Sequence, residues 1–328
     1  TRVSSIIRSV ASYVPSRRMS NDELATIVDT SDEWIFSHTG IRSRHIAADN
    51  EAASDLAREA GLLAIERAEI APDDIDLILL ATSTPDYVGL PSTACVVQNM
   101  LGAGKAGAMD LVAACTGFIY GLQTARAYID SGSARHVLVI GSEVYSRLVN
   151  WKDRSSCVLF GDGAGAAVVS HNEDKDRGII DAFLRSQGSG APALLKKAGG
   201  SRLPIGEDTE EADRYLYMDG RRVYVFAVNA IIEVVRSLLH QNGLSFDDVD
   251  YVVPHQANVR IIEAACKRAG WDSSKFFVNI AEYANTSAAS IPIALDEMRA
   301  KGLLKPGMTI LTVGFGSGLT YGGNLIRW

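Results

Sequence analysis

Three side chains that could carry out nucleophilic catalysis lie far apart in the chain, and the first is a cysteine. Cys115 stands between a β-like segment and an apolar helical stretch that begins at Gly117. Backbone N–H groups without partners and the positive end of the helix dipole meet at such a position and favour a thiolate. The pattern predicts a nucleophile. The alternative is a small core residue, the usual role of a free cysteine. Cys95, Cys157 and Cys266 lack this setting and are expected to be core or surface thiols.

His255 and Asn285 are the other two candidates. His255 begins the loop after the apolar segment that ends at Pro254, and Asn285 holds the place in the second half that Cys115 holds in the first. Taken singly, the histidine is typical of a structural residue and the asparagine of an N-cap. Together with Cys115 they give a nucleophile and two hydrogen-bond donors on strand-end loops, where α/β folds bind ligands. No carboxylate stands out as a base partner for His255.

An internal repeat positions these residues. Three pairs of segments match in the same order, at offsets of 174, about 170 and 172 residues: 73–80 with 247–254, 109–116 with 278–285, and 137–142 with 309–314. Such a period is too long for a solenoid. The strands are near-continuous apolar runs, which indicates a sheet covered by helices on both faces. Helices are predicted at residues 52–68, 117–131, 223–240, 259–269 and 287–300.

Composition narrows the class of protein. The chain has 328 residues, 47% of them hydrophobic and 22% charged, and a single core stops growing at roughly 250–300 residues, so two lobes are expected. It lacks an apolar run of about 18 residues free of charges and breakers, so no membrane span is predicted. The N-terminal segment, residues 1–10, does not resemble a secretory signal, and we expect a cytoplasmic protein.

Three further features argue against particular kinds of binding site. Four widely spaced cysteines without a CxxC motif argue against a disulfide framework and a structural zinc site, so no metal is expected. A net charge of −7 argues against nucleic acid, and an anionic partner must meet a local basic patch. The glycine-rich segment 160–165 is not GxGxxG and does not open the first βαβ unit, so a dinucleotide site is not expected.

Six segments carry a more specific pattern. They are Ala114-Cys115-Thr116-Gly117-Phe118, Val253-Pro254-His255-Gln256-Ala257-Asn258, Asn285-Thr286-Ser287-Ala288-Ala289-Ser290, Thr30-Ser31-Asp32-Glu33-Trp34-Ile35, Thr39-Gly40-Ile41-Arg42 and Phe160-Gly161-Asp162-Gly163-Ala164-Gly165-Ala166-Ala167. Together they resemble β-ketoacyl-acyl carrier protein synthase III, from about residue 3 to Trp328. The resemblance implies an α/β, thiolase-like fold with two pseudo-symmetric β/α halves in a five-layered α-β-α-β-α arrangement. Residues 1–175 would carry the nucleophile, and residues 176–328 the histidine and asparagine.

The resemblance also implies a ping-pong, decarboxylative Claisen condensation that initiates fatty-acid synthesis. Cys115 would take the acyl group of an acyl-CoA, and the N–H groups of Cys115 and of the turn at Ser317 would form the oxyanion hole. Malonyl-acyl carrier protein would then lose CO₂, while His255 and Asn285 donate hydrogen bonds to the enolate oxygen. Decarboxylation makes the carbanion, so no carboxylate base is required. CoA thioesters are substrates, and no cofactor is implied.

Further positions carry over from the family. They are Trp34, Arg154 and Asn258 for CoA, Arg260, Lys267 and Arg268 for docking of the carrier protein, and Leu90 and Phe315 for the primer pocket, with Leu90 acting across a homodimer. Simpler interpretations stay open. Trp34 could be a core aromatic behind a capping box of Thr30 and Glu33, Arg154 a solvated loop charge, and the basic residues of the helix a solvated face.

Two positions depart from the family pattern. His38 stands where the family commonly has arginine, and Leu90 where many members have phenylalanine, which leaves room for a longer or branched primer. The alternatives are therefore a secondary-metabolite condensing enzyme or an acyltransferase with an unusual primer. A non-catalytic thioester-binding scaffold would predict loss of one of the three loop residues, and a cysteine hydrolase would need a general base.

Overall fold

The computed structural model describes residues 4–328, so the first three residues of the predicted N-terminal segment lie outside the described part. The strands are β1 (Ser4–Tyr13), β2 (Arg17–Ser20), β3 (Ser43–Ile46), β4 (Leu77–Ala81), β5 (Gly107–Leu111), β6 (His136–Val144), β7 (Asp162–Asn172), β8 (Gly178–Ser186), β9 (Leu194–Lys196), β10 (Leu216–Met218), β11 (Tyr251–Pro254), β12 (Thr309–Gly316) and β13 (Thr320–Arg327). The α-helices are α1 (Asn21–Leu24), α2 (Asp32–Thr39), α3 (Ala53–Arg67), α4 (Thr93–Leu101), α5 (Gly117–Asp130), α6 (Gly220–Gln241), α7 (Val259–Ala269), α8 (Ile280–Tyr283) and α9 (Ser290–Ala300).

Two sheets with equivalent strand orders form the centre. The first runs β1-β7-β6-β4-β5 and the second β8-β13-β12-β11. In both, the pair that matches in the sequence repeat is parallel, β4 with β6 and β11 with β12, and the strands beyond it are antiparallel. The counterpart of β5 is reduced to one parallel bridge between Val252 and Phe276. The repeat therefore corresponds to a repeated topology.

Helices cover both sheets and complete five layers. Alternate residues of a strand face opposite sides, so Leu80 packs with α3 on the outer face of the first sheet while Leu79 packs with α5 and α9 on its inner face. The same inner layer contacts Val253 of the second sheet, whose outer face packs on α6 and α7. The predicted fold class is confirmed. The division at residue 175 stays a prediction; it falls between β7 and β8.

The predicted helices all form, with shifts at their ends. The last one begins as a short 3-10 helix, Ser287–Ala289, before α9. Within the described residues, α6 alone is long and apolar enough to cross a membrane by length and composition. Glu233 and Arg236 interrupt it, 56% of its apolar window is buried, and its buried face packs on the second sheet.

Candidate active site

Cys115 lies where the first half of the chain turns from strand to helix. β5 ends at Leu111, a 3-10 helix spans Ala114–Thr116 and α5 begins at Gly117, as the sequence pattern predicts. Ala114 has a φ of 47°, a left-handed conformation that is uncommon outside glycine and turns the chain sharply just before the thiol. The Cys115 side chain is buried at the end of this turn.

The thiol is less acidic than its place near a helix N-terminus predicts. Burial raises the pKa of Cys115 to about 12, and negative charge on Glu143 adds to the rise. The hydrogen bond that Sγ donates to Ser287 Oγ, at 3.4 Å, offsets this only in part. The expectation of a favoured thiolate is therefore wrong for the resting site, because desolvation outweighs the helix terminus. An attack by this sulfur needs a proton acceptor.

His255 follows the last residue of β11 and is buried. Its backbone N–H donates to the carbonyl of Val313, at 2.8 Å, and the ring meets Phe315 edge-on with 5.4 Å between centroids. Neither ring nitrogen has a hydrogen-bond partner. Burial lowers the pKa of His255 to about 3, so the imidazole is neutral and carries one N–H that no protein group uses.

Asn285 is held by backbone on both sides. Its N–H donates to the carbonyl of Leu159, and its carbonyl accepts from the N–H of Gly161. The amide Oδ1 accepts from the N–H of Ser287 at 2.8 Å, which fixes the amide so that Nδ2 is the group left for a ligand. The N-cap interpretation is wrong, because Thr286 is the N-cap of the 3-10 helix Ser287–Ala289 and Ala289 is that of α9, and the Nδ2 donor of Asn285 remains available. The preceding Ala284 has a φ of 58°, as Ala114 does before Cys115 in the other half.

One cavity of about 160 Å³ contacts all three side chains. Cys115, His255 and Asn285 line it together with Asn258 and Phe315. Its apolar wall includes Leu159, Leu194, Leu216, Met218, Val223 and Ile261. The chain thus brings a thiol, a neutral imidazole and an amide together around an apolar space, which suits a thioester. A charged intermediate would be disfavoured there unless hydrogen bonds stabilised it.

The predicted oxyanion donors lie on the same wall. A Cβ atom at Gly316 would stand 2.8 Å from the backbone nitrogen of Cys115, so β12 approaches the nucleophile as closely as only glycine allows. Ser317, next in the chain, also lines the cavity, and its Oγ donates to the carbonyl of Leu194 at 2.6 Å, which anchors the turn. The oxyanion role of the Cys115 and Ser317 N–H groups stays a prediction that this placement permits.

Comparison with known proteins identifies the family. The family model for 3-oxoacyl-[acyl-carrier-protein (ACP)] synthase III matches residues 109–188. The family model for the C-terminal part of the same enzyme matches residues 239–328. Over 328 residues the chain is 48% identical to the β-ketoacyl-[acyl-carrier-protein] synthase III of Caldanaerobacter subterraneus subsp. tengcongensis, which covers 100% of this chain and 98% of that protein. The chain belongs to this family.

Solved structures of synthase III and related enzymes agree with that assignment. The 3-oxoacyl-[acyl-carrier-protein] synthase III from Aquifex aeolicus VF5 superposes with a TM-score of 0.91 at 44% identity, covering 99% of this chain and all of that one. The priming β-ketosynthase from the R1128 polyketide biosynthetic pathway gives a TM-score of 0.91 at 36% identity, with 99% and 96% covered. The resemblance inferred from the sequence is confirmed, and with it the enzyme class, a condensing acyltransferase.

Two of the residues predicted for CoA lie outside the catalytic cavity. Trp34 and Arg154 line a separate surface pocket of about 340 Å³, and Trp34 is 46% exposed, so it is not a core aromatic. Helix α2, which contains Trp34, is capped by Ser31, whose Oγ accepts from the Trp34 N–H, so the predicted capping box at Thr30 and Glu33 is wrong. Both adjacent hydroxyls suit a cap, and only the backbone geometry selects one.

The neighbours of this surface pocket make specific contacts. Arg154 pairs with Asp29 at 3.1 Å. His38, which replaces the family's common arginine, stacks on Trp34 with 4.3 Å between ring centroids, and its Nδ1 lies 2.7 Å from the Trp34 carbonyl oxygen. This histidine therefore packs against the indole ring of Trp34 and does not line the pocket. Asn258, the third predicted CoA residue, lines the catalytic cavity and caps α7 by accepting from the Arg260 N–H.

The predicted docking residues share α7 and are exposed. Arg260 is engaged within the protein: it donates to the Ser37 carbonyl and pairs with Glu263 at 2.8 Å. Arg268 donates to Asn229 of α6, and Lys267 is exposed beside it. The C-terminal end of α7 is therefore basic, at Lys267 and Arg268, whereas the charge of Arg260 at its N-terminal end is offset by Glu263.

The two residues predicted for the primer pocket lie in different places. Phe315 lines the catalytic cavity. Leu90 does not line it, and 83% of its surface is exposed on a loop next to Val88, which is 79% exposed. Within one chain, Leu90 therefore contributes nothing to the cavity, and its predicted role requires a second copy.

Three site residues escaped the sequence analysis: Glu143, Tyr145 and Ser287. Glu143 and Tyr145 come from β6 and the residue after it, and Ser287 opens the 3-10 helix before α9. A usable signal was present, since Glu143 is the one acid in the apolar run of β6. A buried acid in such a strand is rarely there without a function or a partner.

Proposed function

We propose that the chain joins an acyl-CoA primer to malonyl-acyl carrier protein by decarboxylative Claisen condensation, giving β-ketoacyl-acyl carrier protein, CoA and CO₂. In this role it initiates type II fatty-acid synthesis. The observation that carries the proposal is that Cys115, His255 and Asn285 line one largely apolar cavity in a member of the synthase III family. The reaction consumes CoA thioesters as substrates and requires no cofactor.

In the first half-reaction, Cys115 Sγ attacks the thioester carbonyl, and CoA leaves with a proton. The tetrahedral oxyanion is stabilised by the backbone N–H groups of Cys115 and Ser317, whose close approach is set by Gly316. The apolar wall around Leu194 and Leu216 excludes water, so the acyl-enzyme survives until the second substrate arrives.

In the second half-reaction, malonyl-carrier protein loses CO₂ and negative charge moves to its thioester oxygen. His255 and Asn285 donate hydrogen bonds to that oxygen. A neutral imidazole with unpartnered nitrogens and an amide with a free Nδ2 suit this role, because neither brings a charge of its own. The carbanion then attacks the acyl group on Cys115, the carbon–sulfur bond breaks, and the Cys115 thiolate that leaves takes up a proton from water.

The substrates are proposed to enter from the exposed side. Trp34 and Arg154 would bind the nucleotide end of CoA in their surface pocket, and Asn258 the pantetheine near the cavity. Lys267 and Arg268 offer a local basic patch to an acidic carrier protein, which a chain of net charge −7 otherwise repels. We also propose a cytoplasmic homodimer, in which exposed Leu90 covers the partner's acyl pocket.

Intact-protein mass spectrometry tests the proposal. The chain is mixed with a panel of acyl-CoAs, and then malonyl-carrier protein is added while CO₂ and β-ketoacyl product are measured. We expect one acyl group per chain, lost in Cys115→Ala and kept in Cys95→Ser, a matched change at an exposed cysteine. The mass added identifies the primer. Hydrolysis of acyl-CoA faster than condensation would replace the proposal with a cysteine hydrolase.

A secondary-metabolite role is the second candidate. The likeness to the priming β-ketosynthase of a polyketide pathway favours it, together with His38 and Leu90 where the common pattern has other residues. The same mass measurement separates the two. Acylation by acetyl-CoA followed by CO₂ release supports fatty-acid initiation, whereas exclusive acylation by an unusual primer, or acylation without condensation, supports the alternative.

A further inference from the structure

Behind Cys115 lies a carboxyl group that the proposed mechanism does not use. Glu143 of β6 is completely buried, with 0% of its surface exposed. Its Oε1 accepts three hydrogen bonds, from Thr82 Oγ1 at 2.8 Å, the Ser83 N–H at 2.7 Å and Thr84 Oγ1 at 3.0 Å. Its Oε2 has no partner. Three donors on one oxygen are typical of an ionised carboxylate, and the other oxygen is left to accept a proton.

The position of this carboxyl group follows from the packing of β6. Gly141 and Glu143 point to the same face of the strand, because alternate residues do. A Cβ at Gly141 would overlap the carbonyl oxygen of Ala288, so that face of β6 lies directly on the 3-10 helix Ser287–Ala289. The Glu143 side chain therefore lies beside Ser287.

Ser287 connects the carboxyl group to the nucleophile. The Cys115 thiol donates to its Oγ at 3.4 Å. Its N–H donates to Asn285 Oδ1, and its φ of 50° is left-handed, so the backbone is fixed in an uncommon conformation at the point where Oγ contacts the thiol. The same hydroxyl lowers the pKa of Glu143, although no well-formed hydrogen bond reaches Oε2 in the resting site.

A second buried acid in the same sheet shows what a purely structural carboxylate looks like. Asp162 of β7 is 1% exposed, but both of its oxygens are used. Oδ1 accepts from the Ser146 N–H, and Oδ2 accepts from the Ala47 N–H and Ser146 Oγ. The unpartnered oxygen of Glu143 is therefore a property of its site, not of buried acids in this chain.

We propose that Ser287 and Glu143 form a proton relay for Cys115, with Glu143 as a positioning residue that acts through Ser287. This rests on the proposed function, and deepens its first half-reaction. As the Cys115 sulfur bonds to the thioester carbon, its proton moves to Ser287 Oγ, and the Ser287 hydroxyl proton moves to Glu143 Oε2.

The relay returns its proton within the same half-reaction. When the carbon–sulfur bond to CoA breaks, the CoA thiolate takes a proton from the Ser287 hydroxyl, which is replaced from Glu143. Atoms and charges then balance as thiol plus acyl-CoA giving acyl-cysteine plus CoA thiol. The relay explains how a thiol whose pKa burial raises to about 12 can react at neutral pH.

The titratable groups that face the relay are few. Tyr145, which follows β6, is buried with its pKa raised, so it is a neutral phenol. His255, which follows β11, is neutral because burial lowers its pKa to about 3. Burial also raises the pKa of Glu143, so protonation of this carboxyl on the acid side is expected to switch the relay off. Cys115 itself titrates only far on the alkaline side.

The experiment measures single-turnover acylation of Cys115 against pH in the intact chain. We expect the wild-type rate to reach a plateau above the pKa of Glu143. Glu143→Gln should acylate about 100-fold more slowly at neutral pH, and its rate should rise steadily with pH, as for an unassisted thiol. A structural role would lower the amount of folded protein without changing the shape of this profile.

Matched variants sharpen the test. Ser287→Ala should reproduce the loss, and the double variant should be no slower than either single one, because both changes break one pathway. Asp162→Asn, the structurally matched buried acid, should keep the wild-type profile per folded molecule. If Glu143→Gln does not fold, Ser287→Ala decides alone. A wild-type profile in either variant overturns the relay.

A second probe separates this inference from the proposed function. Alkylation of Cys115 by iodoacetamide, in a Cys95→Ser background, needs no acyl-CoA. We expect the same pH profiles and the same loss in Glu143→Gln. If the wild type takes up no acyl group, but its alkylation rate depends on Glu143 as expected, the proposed function is wrong and the relay is supported. If acylation occurs and neither reaction depends on Glu143, the relay alone fails.

Discussion

The catalytic cavity and the exposed surface proposed for CoA and carrier protein control charge in opposite ways. In the cavity, burial raises the pKa of Cys115 to about 12 and lowers that of His255 to about 3, so both groups are neutral at rest. On the surface, charged side chains are paired with neighbours, as Arg154 is with Asp29 at 3.1 Å. Desolvation amplifies each interaction inside, while water screens those outside. Substitutions should therefore have large effects inside and small ones outside.

The largest effect is expected for His255→Ala. Loss of one hydrogen-bond donor to a developing oxyanion slows the reaction by about 10²–10³-fold, so condensation should fall by that factor while acylation of Cys115 persists. His136→Asn, in the first sheet, is the matched control and should leave both steps unchanged. Radiolabelled CO₂ and intact mass separate the steps. An equal fall in both rates would show that His255 also acts as the base for the Cys115 thiol. The two half-reactions would then not use separate groups of the cavity.

A smaller effect concerns stability against pH. Unfolded His255 takes up a proton as pH falls below its ordinary value of 6.5, while the folded form stays neutral until about 3. The unfolded state then binds more protons, so the free energy of unfolding falls with decreasing pH, by about 1.4 kcal/mol per unit across this window. Urea titrations at fixed protein concentration should show this slope reduced in His255→Asn. Parallel slopes would mean that the imidazole is hydrated.

Trp34→Ala should have an intermediate effect, confined to the surface. Stacking of a base on an aromatic ring contributes about 1–3 kcal/mol, so KM for acyl-CoA should rise about tenfold with kcat unchanged. A short acyl thioester without the nucleotide should show no change. Phe36→Ala alters a similarly exposed ring on the same helix, outside the Trp34 pocket, and is the control. A fall in kcat would contradict the separation of surface from cavity.

The smallest effect is expected at the basic end of α7. Lys267→Glu should raise KM for malonyl-carrier protein only a few-fold, because an exposed pair contributes about 0.2–1 kcal/mol. Added salt should remove most of the difference between variant and wild type. Lys305→Glu, at another exposed position, should leave KM unchanged. An effect that is insensitive to salt would show that Lys267 is buried on docking, like a cavity group.

The sequence predicted the placement of the site better than its chemistry. The strand-to-helix turn at Cys115 and the strand end at His255 follow from apolar runs and their breakers, which are local signals. The raised pKa of Cys115 was missed because it depends on burial by segments distant in the chain, such as the one ending in Met218. Strands β9 and β10, which supply part of the cavity wall, are too short for an alternation of apolar and polar residues to be recognised in the sequence.

The second missed feature is the group behind the nucleophile. A search for a base partner looked near His255 and found none, whereas Glu143 reaches Cys115 through Ser287, a residue 172 positions from the thiol. No spacing rule relates two residues brought together by the packing of separate halves. The dimer role of Leu90 stays a prediction, since a single chain shows only that this side chain is exposed.

The tight contact at Gly316 limits how this site could be redesigned. Gly316 abuts the peptide of Cys115, and Gly314 abuts Ile119 and His255, so the joint between the two halves is also the floor beneath the reacting sulfur. Moving the backbone at Gly314 and Gly316 to make room for a bulkier primer would therefore displace the nucleophile. Extra volume has to come from other side chains that line the cavity, such as Leu216 and Met218, which take no part in the chemistry.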